Sequence, residues 1–129
     1  MRNPFTHKKL DEVEDSAAAH GHGDKMEARF ARGDLEAEKT GFSFHRIKPG
    51  KRQPFGHKHD EAEEVYVVVR GGGLLKLDDE IIEVETLDAI RVSPEVMRAF
   101  EAGDEGLEVI VFGPHYEGDG AIDPGFWSD

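Results

Sequence analysis

The five residues VYVVV at 65–69 constrain this chain more than any other stretch. Valine and tyrosine favour extended backbone, and successive side chains of a strand face opposite sides. A run that is apolar at every position therefore asks for a strand covered on both faces. It is bounded by DEAEE at 60–64 and by Gly71, Gly72 and Gly73, so the strand is entered through a polar loop and left through flexible backbone. Such a strand needs partners, and the sequence offers several. FSFHRI at 42–47 is rich in aromatic residues and is closed by Pro49-Gly50, a turn pair. LLKLDDEIIEVE at 74–85 reads as a hairpin with Asp78 and Asp79 at its tip, followed by AIRVSP at 89–94 and LEVIVF at 107–112. Met26, Ala28 and Phe30 alternate with Glu27 and Arg29, which predicts a further strand to about Arg32, with Gly33 breaking any long helix. Short strands separated by turns, without a long amphipathic helix, predict an all-β sandwich or barrel.

A chain of 129 residues has room for one domain with a real core. Residues 1–24 are polar and carry HGHG at 20–23, so they read as an N-terminal arm with His20 and His22 as ordinary loop residues. Residues 25–129 then form the single barrel and its C-terminal tail, whose Phe126 and Trp127 are expected to fold back over the barrel or a partner subunit. With 16 Lys plus Arg against 28 Asp plus Glu, the formal charge is -12, a field that repels phosphate backbones and anionic membranes. Neither nucleic acid nor a membrane is an expected partner. The absence of cysteine excludes disulfides, thiolate ligands and a cysteine nucleophile. The first sixteen residues lack a signal-peptide core and no stretch reaches the ~18 apolar residues of a membrane span, so a cytoplasmic protein is expected.

Immediately before the apolar run stand His57 and His59, two residues apart. On a strand they present both imidazoles to one face. A carboxylate added to two histidines makes a facial set of ligands suited to iron, manganese, nickel or zinc. Glu63 and Glu64 are the candidates. Strand parity selects Glu63, whereas a turn or bulge at 60–62 would reset the register and select Glu64.

His57, Lys58 and His59, then four residues, Glu64, six residues and Gly71 reproduce a pattern that resembles the first motif of the cupins. Gly50 stands six residues before His57, where the motif's leading glycine stands five before. The resemblance implies a double-stranded β-helix, a jelly-roll-like barrel spanning about residues 40–113 with an N-terminal extension, and it makes Glu64 the ligand. One such barrel hosts isomerases, dioxygenases, storage proteins and sugar-binding domains, so it implies no single reaction.

Cupins usually supply a fourth ligand, a histidine, from a second motif. Aligned on LDAIRVSPEVMRAF at 87–100, that position is Arg98, and no histidine occurs from 60 to 114. Arginine stays protonated and cannot coordinate a cation. His45 and His115 are the remaining helpers. In one reading His57, His59 and Glu64 hold a divalent metal while Arg98 grips the carboxylate or enolate of a small anionic metabolite, with Tyr66 lining the same pocket. In the other, Arg98 pairs with Glu64 in place of the metal, giving a metal-free, non-catalytic ligand-binding or interaction barrel. The resemblance also leads us to expect a homodimer.

Overall fold

The computed structural model describes residues 4–128, and among these eight strands form one continuous, curled sheet. The strands are β1 (Met26–Phe30), β2 (Thr40–Ile47), β3 (Gly56–His59), β4 (Glu64–Leu77), β5 (Glu80–Glu85), β6 (Ala89–Val92), β7 (Arg98–Pro114) and β8 (Gly120–Asp123). Every strand pair is antiparallel, along β1-β2-β7-β3-β8, with β4 joining β7 and carrying β5 and β6. The expected all-β barrel is therefore the observed architecture.

Two long strands close it. β4 and β7 pair twice along their lengths, Val65–Val68 against Val109–Phe112 and Gly73–Leu77 against Arg98–Ala102. Between the two stretches the register shifts at Val68/Arg70 and Gly71/Gly73, and there the ribbon turns a corner. The three glycines make that corner. Gly71 has φ 74°, and a Cβ there would collide with the carbonyl oxygen of Gly106, while one on Gly73 would strike that of Glu101.

Inside lie Ile47, Val68, Leu75, Phe100, Leu107 and Val109, all fully buried. Within the apolar run, Tyr66 and Val68 point inward, whereas Val65 and Val67 are half-buried on the outer face beside Phe112 and Ile110. The run is thus fully covered on one face only within a single chain. The hairpin tip forms as expected: Leu77 faces Glu80, and Asp78 takes φ 52° in the two-residue loop.

One expected strand is longer than its sequence pattern and one strand is added. The strand expected at 107–112 begins at Arg98, because residues 98–106 pair with the glycine-rich half of β4. Within the C-terminal tail, Gly120–Asp123 is a strand on β3. Phe126 and Trp127 fold onto this chain's own barrel, with Lys76 over the Phe126 ring and the Trp127 indole donating to Gln53 O at 3.0 Å. The N-terminal arm contains two short helical turns, Leu10–Glu12 and Ser16–Ala19, and packs on β1 through buried Val13 and Ala17. Asp15 ties it down by accepting the backbone N–H groups of Ala17 and, 13 residues on, Ala28 at 2.9 Å.

Candidate metal centre

β3 presents His57 and His59 on its inner side, their rings 5.2 Å apart and nearly perpendicular. The next residues decide which glutamate joins them. Asp119 accepts three consecutive backbone N–H groups, those of Asp60 and Glu61 at 2.9 and 2.8 Å and that of Ala62 at 3.0 Å. This folds 60–62 into a tight loop that breaks the strand parity. Glu64 consequently turns inward, while Glu63 points out toward Arg91 at 3.4 Å. The parity argument for Glu63 fails because the strand does not run through.

Four groups converge on one oxygen, Oε1 of Glu64. His59 Nε2 lies at 3.3 Å, His57 Nε2 at 3.4 Å, the Tyr66 hydroxyl at 2.9 Å and Arg98 Nη2 at 3.6 Å. Burial raises the Glu64 pKa, but the two imidazoles outweigh it and hold this carboxyl far below the usual carboxylate range. Burial, with the Glu64 charge adding to it, pushes the Tyr66 phenol well above its ordinary value, so Tyr66 serves as an O–H donor.

The donor atoms of His57, His59 and Glu64 all lie within 4.8 Å of one another. Ligands bound at about 2.1 Å to one ion sit about 3.0–3.5 Å apart, so little movement would bring them onto a shared cation. Both ring nitrogens of His59 are buried without a hydrogen-bond partner, an unpaid desolvation that a metal at Nε2 would relieve. Asp119 Oδ2 is 3.3 Å from His59 Nδ1, where a carboxylate can steady the ring. Burial raises the Asp119 pKa, yet its three backbone donors and His59 hold it below the usual value. The residues fit a divalent ion.

Arg98 occupies the far wall and is 1% exposed. Its Nη1 donates to the carbonyls of Val96 at 2.8 Å, Pro94 at 3.3 Å and His57 at 3.5 Å. Only Nη2 and Nε lack a hydrogen-bond partner, and Nη2 faces Glu64. His45 and His115 do not join the ligand group. His45 is buried on β2, bonded to Ser43 Oγ at 2.9 Å, and burial followed by repulsion from His57 lowers its pKa to about 4. His115 lies 3.3 Å from Glu117. His20 and His22 are loop residues as expected, His20 bonded to Ser16 O and His22 edge-on to Phe55.

A cavity of about 440 Å³ opens onto His59 and Glu64, walled by Phe30, Val111 and Tyr116, with Arg32 and His115 among its lining. Asp119, Arg32 and Tyr116 were not singled out from the sequence. No spacing rule connects position 119 to position 59; only the pairing of His59 with Gly120 across β3 and β8 does. A second cavity, of about 580 Å³, lies near Glu83 and Asp88, and among the described residues no metal-ligating group converges there.

No protein-family model matches the chain. An uncharacterized protein of Methanocaldococcus jannaschii is 40% identical over 55 residues, covering 42% of this chain and 44% of that protein, so the match spans less than half of that relative. Among solved structures, a cupin protein from Bacteroides fragilis superposes with a TM-score of 0.70 at 18% identity, over 91% of this chain and 89% of that one. The polyketide cyclase RemF from Streptomyces resistomycificus gives 0.72 at 18% identity, over 91% and 82%. Oxalate decarboxylase from Bacillus subtilis gives 0.60 at 22% identity, over 74% of this chain and 27% of its own. The curled antiparallel sheet and these likenesses together establish that the chain has the cupin fold.

Proposed function

We propose that this barrel binds a divalent metal through His57, His59 and Glu64 and uses the adjoining cavity to bind a small anionic metabolite. The observation that carries the reading is the meeting of three donor atoms within 4.8 Å, with both nitrogens of the His59 ring buried, each 3.3 Å from a carboxylate and neither satisfied by a hydrogen bond. Iron, manganese, nickel and zinc all suit two imidazoles and a carboxylate. When bound, such an ion would supply Lewis acidity beside the cavity, and iron or manganese would add one-electron chemistry. The protein's own groups hold the ligands in place. Tyr66 keeps its proton and donates a hydrogen bond to Glu64, and Asp119 steadies His59. Arg98 and Tyr66 are too deeply buried to meet a metabolite first; we assign both to fixing the Glu64 carboxylate.

A second reading, a metal-free barrel held by an Arg98–Glu64 pair, draws on their 3.6 Å separation. Calorimetric titration of chelator-treated protein with manganese, nickel, zinc and anaerobic iron(II) separates the two. One equivalent of metal is expected to bind the wild type and none the His57→Ala variant. Arg98→Gln removes a fixed positive charge beside the site together with a group that positions Glu64, and leaves all three ligands in place, so it should still bind one equivalent of metal. Absence of metal binding by wild type, with loss of folding in Arg98→Gln, would establish the second reading instead.

A further inference from the structure

The cavity over the metal centre has one charged group that the fold leaves unused. Arg32, in the turn after β1, lines it, and its Nε is buried without a hydrogen-bond partner. Among the described residues no carboxylate pairs with its guanidinium, although the chain carries a net charge of -12. By contrast the other charged groups of the cavity are committed. Glu64 faces His57, His59 and Arg98, and Asp119 holds the loop at 60–62. His115 lies against Glu117.

Apolar surface surrounds this cation. Phe30 is 57% exposed and Tyr116 45% exposed, and both residues line the cavity with Val111. Folding of this chain does not bury those two rings, so a ligand with an apolar body would gain by covering them. Lone unpaired arginine forks match one carboxylate by two parallel hydrogen bonds. The fork matches phosphate as well, and we choose carboxylate because a single fork satisfies its one charge.

We propose that Arg32 is the anion receptor of this site, and that the ligand is a monocarboxylate with an aromatic-sized apolar body lodged between Phe30 and Tyr116. The inference deepens the function proposed above and rests on it for the metal beneath. It moves the anion-binding role from Arg98, which is enclosed and spends Nη1 on three carbonyls, to an arginine that a ligand can reach.

The test is an amide-detected NMR titration of the full chain with benzoate, phenylacetate and phenylpyruvate, each run on metal-free protein and on protein with added zinc. At least one acid is expected to shift the amides of residues 30–33 and 113–116. Benzamide and benzyl alcohol, the same size but uncharged, should bind at least tenfold more weakly. Arg32→Gln should weaken the acid at least tenfold and Arg32→Lys by less, with the spectrum of the barrel core unchanged in both. Equal binding of acid and amide, equal binding by wild type and Arg32→Gln, or no binding of any acid would overturn the proposal. Tighter binding of phenyl phosphate than of every carboxylate would overturn the choice of anion. Zinc binding without carboxylate binding sinks this inference alone; carboxylate binding through Arg32 by a protein that takes up none of manganese, nickel, zinc and iron(II) sinks the metal reading alone.

Discussion

A single buried histidine illustrates how the surroundings of one side chain set its chemistry. His45 shares its strand face with Ser43 and lies under the edge of Phe30, their rings 5.5 Å apart. Burial and the nearby His57 lower its pKa from 6.5 to about 4, so the folded protein holds it neutral where the unfolded chain would protonate it. Between these values the unfolded state binds the extra proton, and stability therefore rises with pH. The contribution is fully present above about pH 6.5 and is lost as the pH falls toward 4, amounting to about 3 kcal/mol across the window. Urea unfolding of wild type and His45→Leu at pH 7 and pH 4.5 should show a smaller acid-induced loss in the variant. At this scale the sequence was only half legible. The histidine pair and Glu64 stood out by spacing, but the choice of Glu64 over Glu63 rests on Asp119, which is 55 or more residues distant and has no local signal. Arg32 was equally hidden, because an arginine after a strand looks like solvent-facing charge until the cavity beside it is seen.

Among the elements, the strands that alternate or run apolar were readable and the corner between them was not. EAGDEG at 101–106 has the composition of a turn, and two glycines and an exposed acidic pair give it no strand propensity. It is extended because the other half of the corner, Gly71 to Gly73, is backbone without side chains and lets β7 approach closely. Pairing overrides propensity here. Alanine at Gly71 must adopt φ 74° and also displace the Gly106 carbonyl, so Gly71→Ala should cost about 3 kcal/mol or prevent folding. Gly33 supplies the contrast: a Cβ there meets nothing within 4 Å and its φ is not positive. Gly33→Ala is expected to change stability by less than about 1 kcal/mol, in the stabilising direction, by reducing the freedom of the unfolded chain. Thermal melts of the two variants measure the difference.

For the whole molecule, the outer face of the sheet poses a conflict between apolar surface and charge. Phe42 and Phe112 face each other across β2 and β7, and Val65 pairs with Phe112 from the other side, so an apolar stripe crosses three strands. Phe112 is 40% exposed and its neighbours are half-buried. The run at 65–69 reads in sequence as covered on both faces, and the chain alone covers one. We propose that the expected homodimer forms through this stripe, because a second copy laid face to face would complete the cover that the valines call for. Against it stands electrostatics: two copies bring together a formal charge of -12 each, and that repulsion is screened only within a Debye length, about 10 Å at 0.1 M salt. Apolar attraction depends weakly on salt in this range while the repulsion falls, so the dimer should tighten as salt rises from 20 to 200 mM, a range chosen to bracket that length. Sedimentation equilibrium at the two salt concentrations checks the direction. Phe112→Arg places a charge at the centre of the stripe and should leave a folded monomer at both salts; a variant that remains dimeric would move the interface elsewhere on the barrel.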